Sequence, residues 1–137
     1  MSDKSAQPVD QITDQPAPTE AELGEAGAAL VPATVSGMPP TAQVFFAVVE
    51  STGVLVRGFG AVATLRLGVG TYQVTFSHDM TRSAFVATTG FTGSVGAPPD
   101  GRVTVVGRAG VPNAAFVQTR DGAGNLADRA FHMVAAS

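Results

Sequence analysis

Two histidines and five carboxylates are the residues after position 40 whose types could support metal or acid–base chemistry. A zinc site needs three or four converging ligands, and the chain has no cysteine to supply them. His78 ends one predicted strand, and His132 lies between Phe131 and Met133 in another. The sequence therefore predicts no metal site and no cofactor.

The tripeptide Ser77-His78-Asp79 contains the residue types of a nucleophilic triad. Neighbouring residues of a strand point to opposite faces, so these three cannot form the hydrogen-bonded relay that such catalysis requires. The carboxylates offer no better pair, because most lie in or beside predicted turns, where aspartate has a structural role. They are Glu50, Asp79, Asp100, Asp121 and Asp128. We predict that the protein is not an enzyme.

Glycine-rich segments of the chain lack the features of ligand-binding loops. The segment 121–125, Asp-Gly-Ala-Gly-Asn, has neither the spacing nor the closing glutamate of a calcium-binding EF-hand loop. We interpret it as a hairpin connection. The segments 58–60 and 68–70 precede no predicted helix, which phosphate binding of this kind requires.

Charge divides the chain into two parts. Residues 1–40 hold six carboxylates and only Lys4, a formal net charge of −5, whereas the later residues hold seven arginines and five carboxylates, a net charge of +2. Nucleic-acid binding needs a denser basic patch with stacking aromatics, so no nucleic-acid partner is predicted. The opposite signs would allow the acidic segment to lie across a neighbouring domain, although exposed ion pairs contribute little individually.

Composition also changes near residue 40. Six of the nine prolines lie in the first 40 residues, and every aromatic residue follows them, beginning at Phe45. Without aromatics the first segment cannot bury enough surface to offset its ordering entropy. We predict a disordered or extended N-terminal arm over 1–40 and an all-β domain over 41–137. A short helix over 21–30, capped by Thr19 with Glu22 three residues on, is the alternative for part of the arm.

Short runs of branched and aromatic residues alternate with glycine-rich breaks throughout the β domain, which is typical of strands and turns. Regularly spaced short strands favour an antiparallel sandwich or a jelly-roll-like barrel. The eight predicted strands cover 43–50, 54–57, 61–67, 71–77, 83–89, 102–107, 114–120 and 129–135.

Two of these strands differ in their patterns. In 71–77 the apolar residues alternate with polar ones, which predicts one face toward water. The run 44–49 is apolar throughout, so we expect it to be covered on both faces. A subunit interface would supply that cover, and a central position in a compact sandwich is the alternative. The candidate interface residues are Val44, Phe45, Phe46, Val48 and Val49.

The string Ala-Thr-Leu-Arg-Leu-Gly-Val-Gly-Thr-Tyr-Gln-Val-Thr-Phe at 63–76 is followed by Met80 and by Ser-Ala-Phe-Val-Ala-Thr at 83–88. This pattern resembles β-rich modules at the tips of bacteriophage tail fibres and related virion proteins, over residues 55–135. The resemblance implies a trimeric, intertwined β domain that attaches to or decorates a particle. No long fibrous shaft precedes the domain, which favours a small accessory protein of a capsid or tail.

We therefore expect a non-enzymatic virion protein, a capsid-decorating or tail-associated homotrimer anchored to a larger assembly through residues 1–40. The alternative is a free-standing β-sandwich that binds carbohydrate or a cell surface. That alternative predicts exposed aromatic residues, and the candidates are Phe59, Tyr72 and Phe91.

The sequence shows no targeting segment. Residues 1–11 lack a basic region followed by an apolar run, and no stretch of 18 consecutive apolar residues occurs. We expect no secretory signal and no membrane span, with synthesis in the cytoplasm and a final location in the virion. A bacterial cell surface or the extracellular space is the alternative.

Overall fold

The computed structural model of the protein describes residues 15–29 and 44–137. Every predicted strand is present, and each begins and ends within two residues of its predicted position. The elements are α1 (Glu20–Ala29), β1 (Val44–Val49), β2 (Leu55–Phe59), β3 (Ala61–Gly68), β4 (Thr71–Phe76), β5 (Ala84–Thr89), β6 (Gly101–Gly107), β7 (Ala114–Asp121) and β8 (Phe131–Ala136).

The strands form two antiparallel sheets of four strands each. Sheet A has the order β2-β1-β8-β5, and sheet B has the order β3-β4-β7-β6. The inner faces of the two sheets share one hydrophobic core. The predicted all-β fold is confirmed, in its sandwich form and not as a closed barrel.

Alternate residues of the central strands build the core between the sheets. Phe45 and Val49 from sheet A meet Tyr72, Val74 and Phe76 from sheet B, and all five are at most 2 % exposed. The rings of Tyr72 and Phe131 pack at 5.2 Å with a tilt of 56°, a favourable aromatic geometry that joins the two sheets.

A single residue carries the chain from sheet A to sheet B. Gly60 alone separates β2 from β3, and its φ of +77° lies in the left-handed region that favours glycine. A Cβ atom at this position would lie 2.2 Å from the Phe45 ring. The sharp change of sheet therefore depends on glycine.

Part of the N-terminal arm packs on the outer face of sheet B. A reciprocal capping box opens α1: Thr19 Oγ1 accepts a hydrogen bond from the Glu22 amide at 3.1 Å, and Glu22 Oε1 accepts one from the Thr19 amide at 3.0 Å. Ala26 is 2 % exposed and packs with Val111 and Ala114. The helix predicted over 21–30 as the alternative is thus present over Glu20–Ala29, and residues 15–19 lead into it without regular secondary structure. The remainder of the predicted disordered or extended arm lies outside the described residues.

Arg108 fastens this segment to the sheet. Its guanidinium donates hydrogen bonds to Gln73 Oε1 at 2.9 Å, to the Pro16 carbonyl at 2.7 Å and to Glu22 Oε1 at 3.0 Å. It also lies over the Phe116 ring, 5.6 Å from the centroid. Because Arg108 is only 4 % exposed, these partners replace the water that its charge has lost.

The prediction that one face of the strand 71–77 meets water is wrong. Gln73 and Thr75 are at most 1 % exposed, because the docked arm covers the outer face of β4. The hydrogen bond that Gln73 Oε1 accepts from Arg108 replaces one that burial prevents it from making with water. Conversely, the outer face of the apolar strand β1 exposes Val44 and Phe46.

Within residues 15–29 and 44–137, no helix has the length and apolar character needed to cross a membrane.

Candidate functional site

An apolar patch occupies the outer face of sheet A. Phe46 of β1, Val134 of β8 and Val86 of β5 form a row of directly paired residues across three strands. They are 37 %, 41 % and 70 % exposed, and Val44, in the same face of β1, is 52 % exposed. We call these four residues the apolar face. Contiguous exposed apolar surface of this kind is typical of protein interaction sites.

The predicted interface residues divide between the apolar face and the interior. Val44 and Phe46 belong to the apolar face, and their contact with another chain stays a prediction. Phe45 and Val49 lie in the core, so the prediction is wrong for these two. Val48 is 4 % exposed, paired with His132 and Arg57, and is likewise covered within one chain.

The sequence-based prediction did not name Val86 and Val134, the other two residues of the exposed row. In β5 the run Ala-Phe-Val-Ala at 84–87 is apolar throughout, and in β8 only His132 marks the face that Val134 shares. Their alignment with Phe46 depends on the order β1-β8-β5, which brings together strands distant in the chain. No signal in the sequence could have placed the three residues in one row.

The three candidate surface aromatics have different surroundings. Phe59 is 50 % exposed and stacks on Phe45, with ring centroids 6.1 Å apart. Phe91 is 42 % exposed and lines a cleft. The prediction is wrong for Tyr72, which is completely buried; its hydroxyl donates to the Ser51 carbonyl at 2.7 Å.

The cleft beside Phe91 has a volume of about 270 Å³ and lies at one end of sheet A. β1 and β5 both run antiparallel to β8. The residues that follow β1 and β5 therefore meet the residues that precede β8 at the same end of the sheet. The polar lining comes from Glu50 and Ser51 after β1, from Thr89 at the end of β5, and from Asp128 and Arg129 before β8. Phe91, Pro98, Pro99 and Ala130 supply the apolar side chains of the lining.

Hydrogen bonds fix the loop that carries Phe91. The Phe91 carbonyl accepts a hydrogen bond from His132 Nε2 at 2.9 Å. The Thr92 carbonyl accepts one from Arg57 Nη1 at 2.7 Å, and the Thr92 hydroxyl donates to Glu50 Oε2 at 2.8 Å. These contacts with β1, β2 and β8 hold one wall of the cleft in place.

The charged groups that line the cleft differ in their hydrogen-bond partners. Asp128 accepts hydrogen bonds from the Gly70 amide at 2.7 Å and from Arg66 Nε at 3.0 Å. Burial opposes its ionisation, but these donors and the Arg66 charge outweigh burial and lower the pKa of Asp128. Burial and the neighbouring Asp128 charge raise the pKa of Tyr72. In contrast, the buried Nε of Arg129 has no hydrogen-bond partner within the described part of the chain.

The side chains considered for metal binding do not converge, and two of them have structural contacts instead. Residues 15–29 and 44–137 contain no cluster of three histidine, aspartate or glutamate side chains that could hold a metal ion. His78 is buried against Phe45, with ring centroids 4.9 Å apart. Asp121 Oδ1 accepts hydrogen bonds from the amides of Ala123 and Asn125, so its carboxylate closes the loop after β7.

The chain matches no family model, no curated protein and no solved structure. The resemblance to virion modules therefore stays a prediction, and the arguments for function come from the apolar face and the docked arm.

Proposed function

We propose that this chain is a non-enzymatic structural protein of a virion, whose copies associate through the apolar face of sheet A. One observation carries the association: the side chains of Phe46, Val134 and Val86 are exposed and lie side by side across three strands. Only 14 % of the residues in the chain are charged, against about 25 % in a typical soluble domain.

A second copy of the chain is the occupant that the apolar face suits best. On the outer face of sheet A, one row of paired residues is Val44, Ala136 and Ala84 and the next is Phe46, Val134 and Val86, with no charge in either row. The third row, Val48, His132 and Thr88, is polar at two of its three positions and bounds the apolar face. Homo-oligomers with closed symmetry bury such surfaces against further copies. The virion resemblance implies a trimer.

The size of the face sets an expectation for affinity. Three six-residue strands present roughly 300 Å² at the usual strand spacing and rise. A standard interface buries about 800 Å² per partner. We therefore expect association through this face alone to be weak and dependent on concentration.

The solution mass of the full chain, measured by light scattering over a range of concentrations, tests the association. We expect the mass to rise from monomer toward trimer, and Val86→Asp to hold it at monomer because a carboxylate would be buried in the contact. Val95→Asp is the matched control, since Val95 is 86 % exposed in the loop between β5 and β6. A monomer at every concentration, or a trimer indifferent to Val86→Asp, would contradict the proposal.

The acidic arm is proposed to anchor the oligomer to a larger assembly. Residues 15–29 dock on the sandwich of their own chain, so deletion of the whole arm would also uncover sheet B. Deletion of residues 1–14 leaves Gln15 and the helix in place and is the sharper experiment. In cells that produce particles, we expect the full chain to sediment with them and the shortened chain to stay behind. Equal sedimentation would remove the anchoring role from residues 1–14.

A further inference from the structure

We propose that copies of the chain exchange their N-terminal arms, so that residues 15–29 of one copy dock on sheet B of a neighbouring copy in the oligomer. The inference rests on the proposed association through the apolar face, and it names a second contact between the copies. In the single chain the same segment occupies the same site on its own sheet B. The structure therefore defines both the site and the chemistry of its occupant.

The arm occupies its site as a peptide ligand would. Arg108 Nη1 and the Ala109 amide both donate hydrogen bonds to Gln15 Oε1, at 3.2 Å and 2.9 Å. Further along the arm, Asn113 Nδ2 donates to the Ala26 carbonyl at 2.7 Å. Arg108 and Asn113 are at most 4 % exposed, so these donors lie in a buried site. Any copy of the arm carries the groups that they bind.

The helix of the arm depends on this site for its stability. α1 has ten residues, two of which are Gly24 and Gly27, and an isolated helix of this length is marginal in water. Among the described residues, the hydrogen bonds that 15–29 make outside their own segment all go to residues 107–113. A site this local can accept the arm of any copy whose connecting segment reaches it.

Residues 30–43 connect α1 to β1 and are long enough for docking on either copy. Fourteen residues at about 3.3 Å each span up to about 46 Å. Packed layers of strands or helices are about 10 Å apart. The arm site of the same chain therefore lies about 20 Å from sheet A, two layers away, and that of a copy packed on the apolar face lies about 30 Å away, three layers. The segment joins β1 at Val44, which belongs to the apolar face.

Arm exchange strengthens an association that the apolar face alone leaves weak. The face presents roughly 300 Å², whereas a standard interface buries about 800 Å² per partner. The contacts between arm and site are the same in both arrangements, but an exchanged arm places the buried ion pair of Arg108 and Glu22 between two copies. Two linked contacts hold the copies more tightly than either contact alone, because the second forms within an existing complex.

The absence of cysteine allows a direct test with two single-cysteine chains. Ala26 packs with Ala114, so Ala26→Cys places a thiol in the arm and Ala114→Cys places one in the site. One chain carries ¹⁵N, so mass spectrometry separates mixed pairs from pairs of one kind. In an equal mixture that is slowly oxidised, we expect the mixed disulfide to dominate. Val95→Cys, at an exposed loop position, replaces Ala114→Cys in the control and should give only the statistical share of mixed pairs.

Nuclear Overhauser effects in the native chain give a second measurement that needs no substitution. In a mixture of ¹³C-labelled and unlabelled chains, we expect contacts between the methyl groups of Ala26 and Val111 of different chains, at concentrations where the mass exceeds that of a monomer. Val86→Asp should abolish these contacts between chains. Amide spectra confirm that each variant is folded.

The outcomes separate arm exchange from the association on which it rests. Methyl contacts confined to one chain, in an oligomer of unchanged mass, would overturn the exchange and leave the apolar face as the contact. A monomeric mass at every concentration would overturn both proposals. Contacts between chains that persist in folded Val86→Asp would support exchange but contradict its dependence on the apolar face.

Discussion

Arg108 Nη2 donates a 3.0 Å hydrogen bond to Glu22 Oε1, and this ion pair joins the β6–β7 connection to a helix 86 residues earlier in the chain. The side chain of Arg108 is 1 % exposed and that of Glu22 is 16 % exposed. A charge so deeply buried requires partners, and two others come from Gln15 and Pro16 of the same segment. The docked arm is therefore built into the fold of sheet B.

Replacing Arg108 with alanine should release the arm. Loss of the guanidinium leaves Gln73 without its donor and removes the ion pair of Glu22, and we expect a decrease of about 2 kcal/mol in the free energy of unfolding. Hydrogen exchange should accelerate in α1 and remain slow in β8. Arg82→Ala, at an exposed turn, is the control. Uniform acceleration across both sheets would show that Arg108 supports the sandwich and not the arm.

The capping box gives a milder test of the same segment. Thr19→Ala removes the oxygen that accepts from the Glu22 amide, and we expect α1 to lose about 1 kcal/mol of stability. The measurement is hydrogen exchange of the helix amides. Thr52→Ala, in the exposed turn after β1, should leave those amides unchanged. Unchanged exchange in Thr19→Ala would mean that docking alone sustains the helix.

Two glycines near the β3–β4 turn should differ in how much stability they lose when replaced by alanine. Gly70 has a φ of +57°, and a Cβ there would lie 2.4 Å from the Thr119 carbonyl oxygen, so Gly70→Ala should cost about 3 kcal/mol. Gly68 has open space around its Cβ position, and Gly68→Ala should stay within about 0.5 kcal/mol of the native chain. Urea unfolding measures both, and equal losses would contradict the packing around Gly70.

Acid sensitivity should depend on Asp128. Its pKa is lowered in the folded state, so the folded chain binds this proton more weakly than the unfolded chain, in which the pKa is about 3.9. The stability that Asp128 contributes is therefore present above about pH 4 and is lost as the pH falls toward its folded pKa. Urea unfolding of the native chain and Asp128→Asn should show a difference that shrinks as the pH falls from about 6 to about 2. Asp100→Asn, at an exposed loop carboxylate, is the control, and a constant Asp128→Asn difference would contradict the prediction.

The sequence by itself determined the eight strands and the turns between them, and it indicated the capped helix as an alternative to a disordered or extended arm, because these features depend on local preferences. Branched and aromatic runs bounded by glycine define strands such as β4, and a capping residue with glutamate three residues on defines the start of α1. Neither signal requires knowledge of distant contacts.

The tertiary structure alone decided which faces meet water. The alternating pattern of β4 predicts that Gln73 is exposed, but the arm and Arg108 cover it. The apolar run 44–49 predicts that both faces of β1 are covered, but Phe46 lies on an exposed face beside Val134. Burial is a property of the completed packing, set by strand order and by which segment lies over each sheet. The cleft also depends on the tertiary structure. Glu50, Phe91 and Arg129 meet only because β1, β5 and β8, which are distant in the chain, place these residues at the same end of sheet A.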